Sequence, residues 1–156
     1  MFIPEFEYKS ILSSLPILCV DLLIINNGKF LLLKRNTEPA KGEYWFPGGR
    51  LLKLESIKEA CLRKAEEEVN LECDFENIIS VEETIFRKNS SMSSDIHTVN
   101  IVCKLTTNNI KKIKLDNLHS NFLWVSFQDL CDLNLHAAHL NPLKIELSKQ
   151  ITRNRK

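Results

Sequence analysis

The sequence predicts an α/β (α+β) sandwich built on a mixed β-sheet, and two observations carry this prediction. First, β-rich apolar runs alternate with amphipathic helical stretches, an order typical of folds in which helices pack on a sheet. Second, the chain has 156 residues and 44% of them are hydrophobic, which is enough apolar material for one core of domain size. We therefore expect a single domain over residues 1–156.

The composition argues against several classes of protein. The 21 basic and 20 acidic residues nearly cancel, which removes any general electrostatic argument for a nucleic-acid or membrane partner. The longest apolar stretch, residues 17–25, is interrupted by Asp21 and is too short to cross a bilayer. The N-terminal residues lack the basic and then apolar order of a secretory signal. The five cysteines form no CxxC pair, so we expect reduced thiols in a cytoplasmic protein.

The first third of the chain predicts a helix followed by a hairpin. Residues 4–14 have apolar positions at helical spacing, which indicates a short amphipathic helix. The runs 16–25 and 29–33 are β-rich and are joined by Asn26-Asn27-Gly28. Because Asn-Gly supplies the positive φ angles of a two-residue turn, we expect a tight hairpin there.

The remaining elements are predicted from capping residues and periodicity. Ser56 and Glu59 form a capping box that opens a helix running to about Val69. Further β-like runs follow at 78–86, 96–105 and 122–125, and a short helical piece at 127–133. We expect the last helix to begin at Asn141-Pro142, since asparagine caps helices and proline suits their first turn.

Glycine is scarce and clustered, and this indicates where function lies. The chain has four glycines, and three of them, Gly42, Gly48 and Gly49, fall close together before the helix that Ser56 opens. A Gly-Gly turn allows close approach to the backbone, and the carboxylates of Glu67 and Glu68 on the helix are hard oxygen ligands suited to Mg²⁺. The sequence therefore predicts a site for a metal ion and a diphosphate. The alternative is an ordinary solvated helix face whose acids pair with neighbouring cations.

The spacing after the glycine pair resembles a known family motif. The chain reads Gly49-x5-Glu55-x7-Arg63-Lys64-Ala65-Glu66-Glu67-Glu68-Val69-Asn70-Leu71. This resembles the Nudix box, G-x5-E-x7-R-E-U-x-E-E-x-G-U with U aliphatic, and the preceding Trp45-Phe46-Pro47-Gly48-Gly49 is similar to the family's usual lead-in. The resemblance implies a Nudix-type α/β/α sandwich in which Gly49, Glu55 and Arg63 are structural. Two positions depart from the pattern, Lys64 for Glu and Asn70 for Gly.

Lys64 bears on the kind of reaction. In the pyrophosphohydrolases of the family, the glutamate at this position is a metal ligand or part of the base machinery, so a lysine weakens an attack on phosphorus that uses several Mg²⁺ ions. The chain also resembles the GDP-mannose mannosyl hydrolase branch, through its segments 30–35, 39–42, 47–50 and 115–119. That resemblance implies Mg²⁺-dependent hydrolysis of a nucleoside diphosphate sugar, most of all GDP-mannose, at the anomeric carbon to give GDP and the sugar.

The resemblance to this branch also implies roles for individual residues. The Gly48 carbonyl and the Glu68 carboxylate, with Glu67, would bind Mg²⁺ or Mn²⁺. His119 would be the general base, which suits an imidazole because it titrates near the working pH. Arg50 would neutralise charge on the departing diphosphate.

Substrate binding is the remaining role that the resemblance implies, and it falls to Asp21, Arg35 and Arg50. A carboxylate in the middle of an apolar strand is costly unless it has a partner, so Asp21 is hard to explain as a core residue. Arg35 and His119 have the simpler interpretation of a surface cation and a loop histidine. Leu118 stands where the branch has a glutamine that binds metal. The resemblance also implies a homodimer.

Two other functions remain open. One is a Nudix pyrophosphatase that attacks phosphorus in an ADP-sugar or a nucleoside triphosphate despite Lys64. The other is a Nudix fold with little catalytic activity that binds a ligand, a hypothesis motivated by the departures at Lys64, Asn70 and Leu118.

Overall fold

The computed structural model describes residues 3–92, 94–132 and 135–153. The end of the short helical piece predicted over 127–133 and both ends of the predicted domain lie outside the described residues. Within them, no helix is both long enough and apolar enough to cross a membrane. The elements are, in chain order, α1 (Glu5–Ser14), β1 (Ile17–Asn26), β2 (Lys29–Arg35), β3 (Tyr44–Trp45), β4 (Gly48–Arg50), α2 (Ile57–Val69), β5 (Asp74–Phe86), β6 (Ile96–Thr106), a 3-10 turn (Ile110–Lys112), β7 (His119–Ser126), a second 3-10 segment (Phe127–Asp132) and α3 (Ala137–Arg153).

The strands form a mixed sheet, as predicted. Its main path runs β3-β2-β1-β6-β5, with β4 paired to β1 and β7 paired to β2. The long β1–β6 pair is parallel, whereas the other pairs are antiparallel. One buried cluster joins the sheet to α2 and the other includes Leu143 of α3, so apolar cores lie on both faces. The α+β class with helices packed on a mixed sheet is thereby confirmed.

The hairpin between β1 and β2 forms where the sequence predicts it. Asn26 pairs with Lys29, which leaves Asn27 and Gly28 as the two turn residues. Their φ angles are +47° and +74°. Both values lie in the left-handed region that a two-residue turn of this kind requires and that asparagine and glycine tolerate best.

Helix α2 has the predicted capping box. The Ser56 hydroxyl accepts a hydrogen bond from the Glu59 amide, and the Glu59 carboxylate accepts one from the Ser56 amide. The helix ends at Val69, and Asn70 adopts the left-handed conformation with φ 54° and ψ 40°. Asparagine thus performs the capping that the Nudix pattern gives to glycine, since it is the residue that best tolerates this conformation after glycine.

Small residues let α2 lie close to the centre of the sheet. Ala60, Cys61 and Ala65 of the helix are fully buried against Val20 and Leu22 of β1. Because these helix side chains are short, the following residues of α2 come within reach of the strand ends that carry the Gly48-Gly49 turn. The described cysteines carry free thiols, as expected for reduced core residues; they are Cys19, Cys61, Cys73 and Cys103.

The predicted start of the last helix is wrong. Helix α3 begins at Ala137, upstream of Asn141, and Pro142 lies inside it. The helix is extended because His139 packs edge-on against both Trp45 and Phe46, at ring-centroid distances of 4.3 and 4.5 Å. The Asn141 amide donates to Glu82 on β5 at 2.7 Å instead of capping the helix. Tertiary contacts therefore outweigh the local preference of asparagine and proline for a helix start.

The His139 imidazole is fully buried, and neither of its ring nitrogens has a hydrogen-bond partner within the described residues. Burial, with a smaller contribution from His136, lowers the pKa of His139 to about 3. In the unfolded chain an ordinary histidine takes up a proton below about pH 6.5, whereas the folded protein holds this one neutral. Its contribution to stability is therefore present above pH 6.5 and is lost as the pH falls from there towards 3.

We expect His139→Phe to remove this part of the pH dependence. Between pH 8 and pH 5 the free energy of unfolding of the native chain should fall by about 2 kcal/mol more than that of the variant, because only the native chain carries the shifted imidazole. Urea unfolding at the two pH values measures the difference. His97→Gln, which removes an exposed imidazole paired with Glu83, is the control. Equal pH slopes for His139→Phe and the native chain would contradict this account.

Candidate active site

A cleft of about 320 Å³ opens where α2, the β1–β4 pair and the start of β7 meet. Its walls bring together most of the residues predicted to act in a common site; these are Asp21, Arg35, Gly48, Gly49, Arg50, Glu68 and His119. Glu67 is not on the wall of the cleft. The residues come from distant parts of the sequence, so the fold places them in one site.

The buried carboxylate of Glu68 is at the centre of this site. One oxygen, Oε2, accepts a hydrogen bond from the Gly48 amide at 2.9 Å. The other, Oε1, forms an ion pair with the Lys64 ammonium at 2.7 Å. The Glu68 backbone carbonyl also accepts from the Asp116 amide at 3.2 Å. Glu68 thus joins the helix to the glycine turn and to the loop before β7.

Gly48 is required by steric contacts, since its φ is not in the left-handed region. It pairs with Asp21 in the β1–β4 ladder. A Cβ at this position would collide with the Val20 carbonyl oxygen and would lie 2.9 Å from Oδ1 of Asp21. The absence of a side chain therefore allows the turn to lie directly on β1.

Arg63 and Glu55 fasten the loop between β4 and α2. The Arg63 guanidinium donates to both oxygens of Glu55, at 2.6 and 2.8 Å, and to the Arg50 carbonyl at 3.1 Å. The Leu52 amide donates to the same carboxylate at 3.0 Å. These hydrogen bonds, those of Arg63 foremost, hold the pKa of Glu55 below its usual range. The geometry supports the structural role that the resemblance implies for the pair.

The two carboxylates predicted to bind metal, Glu67 and Glu68, are already engaged by protein donors. Lys64 bridges Glu68 and Glu67, with Nζ 3.2 Å from Oε2 of Glu67, and Arg63 donates to that same oxygen at 3.2 Å. Among the described residues, no group of three or more His, Cys, Asp or Glu side chains is placed to hold a metal ion. Mg²⁺ prefers near-octahedral oxygen ligands, so this set does not fit it without movement of Lys64.

Asp21 faces the cleft from β1 and is almost fully buried. Burial foremost, and then the nearby negative charge of Glu68, raises the pKa of its carboxyl to about 7 against the opposing effect of Arg35. Near neutral pH this carboxyl therefore exists in both protonation states, and it can donate or accept a hydrogen bond. Arg35 itself is held by a hydrogen bond from Nε to the Pro39 carbonyl at 2.7 Å.

His119 has a partner that sequence reasoning missed. Its Nδ1 lies 2.7 Å from Oδ1 of Asp116, and the same oxygen accepts from the Leu118 amide at 2.9 Å. A carboxylate only accepts hydrogen bonds, so Nδ1 carries the proton and Nε2 of the neutral ring is the free base. The available signal is the Asp-x-x-His spacing of residues 116–119, which places an acid close to the imidazole.

A β-bulge places His119 beside Arg35. The β2–β7 ladder runs regularly from Lys29 to Lys34 and then shifts, so that Arg35 pairs with His119. Bulges re-aim side chains at the ends of strands, and this one brings an imidazole and a guanidinium to the same wall of the cleft. No local sequence pattern predicts this shift in register.

Arg50 lies at the mouth of the cleft against α1. Its guanidinium carbon is 4.5 Å from the centroid of the Tyr8 ring, the distance of a cation–π contact. Tyr8 and Leu12 of α1 also line the cleft. The position of α1 at the site does not follow from the sequence, because helical periodicity alone does not say which face covers a cleft.

Comparison with known proteins identifies the family. A family model described as NUDIX domain matches residues 16–146. This range includes the glycine turn, α2, the loop before β7 and most of the strands that carry the cleft. The chain therefore belongs to the NUDIX family, as its motif predicts.

The relatives and solved structures agree with this assignment. The chain is 39% identical over 75 residues to the low-salt glycan biosynthesis protein Agl8 of Haloferax volcanii, a match that covers 48% of each. It is 39% identical over 56 residues to an ADP-ribose pyrophosphatase of Methanocaldococcus jannaschii, covering 36% of this chain and 33% of that one. The chain thus spans half or less of the relatives it matches. The MutT protein of Methanosarcina mazei Go1 has a similar structure, with a TM-score of 0.67 and 25% identity over 90% of this chain and 96% of that one.

We expect Gly48→Ala to destabilise the fold. The new methyl group has no space between β1 and β4, so the free energy of unfolding should fall by about 3 kcal/mol in urea. The control is Gly28→Asn in the hairpin turn, where a Cβ meets nothing within 4 Å and asparagine tolerates the positive φ. That variant should lose less than about 1 kcal/mol. Similar losses in the two variants would show that the turn does not lie on β1 as described.

Proposed function

We propose that this chain is a hydrolase of a nucleoside diphosphate sugar, with GDP-mannose as the first candidate, and that it cleaves the bond at the anomeric carbon of the sugar. The single observation that carries the proposal is the His119–Asp116 pair, whose histidine lies on the wall of the cleft. An imidazole oriented by a carboxylate is suited to removing a proton from water at neutral pH.

Two further observations support a nucleotide-sugar substrate. The match to a protein named for glycan biosynthesis favours sugar chemistry, although it covers only half of that protein. The cleft also combines cations, Arg35 and Arg50, with apolar and aromatic walls such as Trp45 and Phe86. A charged diphosphate flanked by a base and a sugar has this same mixture of properties.

In the proposed reaction His119 acts first. Nε2 takes a proton from water while Asp116 stabilises the imidazolium that forms. The water oxygen bonds to the anomeric carbon, and the bond from that carbon to the diphosphate oxygen breaks. The electron pair leaves with the diphosphate, which gives the free sugar, with inverted configuration, and GDP.

The departing diphosphate needs positive charge. Arg50 at the mouth of the cleft and Arg35 beside His119 are placed to supply it. A divalent ion such as Mg²⁺ or Mn²⁺, which the family resemblance implies, would add charge neutralisation on the same group. The acids predicted to bind this ion are paired with Lys64, so the proposed reaction is described by the protein's own side chains.

A cytoplasmic location and a homodimer remain predictions from the sequence.

A second candidate is hydrolysis at phosphorus. The match to a protein named ADP-ribose pyrophosphatase favours it, over one third of that protein's length. A ligand-binding module is the third candidate, and the pairing of both acids with Lys64 favours it.

Hydrolysis in ¹⁸O-labelled water, followed by mass spectrometry over a panel of nucleotide sugars, separates the three candidate functions. The proposal expects label in the sugar. Label in a phosphate product supports the second candidate, and binding without turnover supports the third.

We expect the two members of the histidine pair to affect turnover differently. His119→Ala should lower kcat by about 10²- to 10⁴-fold, because it removes the base. Asp116→Asn keeps the shape but loses the charge that orients and stabilises the imidazolium, so kcat should fall about tenfold or more with little change in KM.

The pH–rate profile provides the second readout for this prediction. The loss of kcat on the acidic side should be absent in His119→Ala, since no imidazole remains to be protonated. The control is His97→Gln on the exposed surface, which should be as active as the native chain. Unchanged turnover in His119→Ala would remove the base assignment.

A further inference from the structure

We propose that the Lys64 ammonium is the resident cation of the acid pair Glu67–Glu68 and competes with divalent ions for the Glu68 carboxylate. The inference concerns the site of the proposed function and rests on that function only for its chemical consequence. We expect the native protein to bind Mg²⁺ and Mn²⁺ weakly. A variant that lacks the positive charge of Lys64 should bind them more tightly.

The position of the lysine follows from helical spacing and from the glycine turn. Lys64 is one turn from Glu68 on α2, and its Nζ lies 2.7 Å from Oε1 of that residue and 3.2 Å from Oε2 of Glu67. A Cβ on Gly49 would lie only 2.9 Å from Cε of Lys64. The lysine stem therefore passes over Gly49, and the missing side chain there leaves room for it.

Burial makes this pair hard to break. The side chain of Lys64 is 14% exposed and that of Glu68 is 5% exposed. Removing Lys64 would leave the buried Glu68 carboxylate without its cation, and this is strongly unfavourable. An ammonium on the same helix is also always present at the carboxylate, whereas a divalent ion must arrive from solution and displace it.

The second oxygen of Glu68 is engaged as well. Gly48 donates its amide to Oε2 at 2.9 Å, so a metal ion at Glu68 would have to replace Lys64 on Oε1 or share an oxygen with one of the two donors. Both carboxylates also lie close to cations that lower their attraction for a further positive ion. The chemical consequence is that Lys64 places one fixed positive charge beside the glycine turn, where the proposed function requires charge for a diphosphate.

Metal binding by the free protein tests this inference without any substrate. We would measure Mn²⁺ affinity by the electron paramagnetic resonance signal of the unbound ion, and Mg²⁺ affinity by calorimetry. Lys64→Gln should bind Mn²⁺ at least tenfold more tightly than the native chain, and Lys64→Glu, which restores the family pattern, more tightly still. Adding Glu68→Gln to Lys64→Gln should abolish the gain. Lys58→Gln, on the exposed face of the same helix, should behave as the native chain.

Thermal unfolding gives a second readout. Lys64→Gln should unfold at a lower temperature than the native chain in chelator, because Glu68 loses its partner, and Mn²⁺ should restore the midpoint. The native midpoint should not move with Mn²⁺ at the same concentration. If Lys64→Gln does not fold, the Mn²⁺ affinities of the native chain and of Glu68→Gln are compared instead. Both should be equally weak if Lys64 occupies the Glu68 carboxylate.

Three results would overturn the inference. They are native Mn²⁺ affinity within twofold of that of Lys64→Gln, loss of native Mn²⁺ binding in Glu68→Gln, or a rise of the native midpoint with Mn²⁺. None of these measurements depends on turnover, so a failure here is distinct from a failure of the proposed reaction.

Discussion

The Glu68 carboxylate is the constraint on which the rest of the site depends. It is buried where α2 meets the β1–β4 pair. The Gly48 amide and the Lys64 ammonium stabilise it there, because each pairs with one of its oxygens. Its charge also acts on its neighbours, since it helps to raise the pKa of Asp21. The glycine turn and the lysine are thus both joined to one buried charge, and that charge adds to the larger effect of burial on the pKa of Asp21.

The opposite wall of the cleft is formed by a register shift between β2 and β7. There the β2–β7 ladder shifts by a bulge, so that Arg35 and His119 lie side by side, and Asp116 turns the imidazole ring by holding Nδ1. The two walls are connected, because the Asp116 amide donates to the carbonyl of Glu68. This hydrogen bond connects α2 to the loop that precedes His119.

Local patterns in the sequence predicted the parts of this structure that local forces determine. The Asn27-Gly28 turn and the capping box at Ser56 are satisfied within a few residues, and both form as expected. The class of fold and the family also follow from periodicity and the spaced motif. The start of α3 and the partner of His119 could not be found in this way, because packing of His139 and the register of distant strands decide them. Helical spacing predicts that acids of α2 pair with neighbouring cations, as Glu68 does with Lys64, but it does not predict the burial of that pair.

Lys64 and the Gly48 amide together occupy the oxygens of Glu68. A crystal structure of the native chain grown with millimolar Mn²⁺ and a non-hydrolysable nucleoside diphosphate sugar tests it most directly, because Mn²⁺ is located by its anomalous scattering. The account predicts that Lys64 Nζ remains within ion-pair distance of Oε1, with no Mn²⁺ peak coordinated by Glu68. An anomalous peak bound to Glu68, with Lys64 displaced into the solvent, would contradict it.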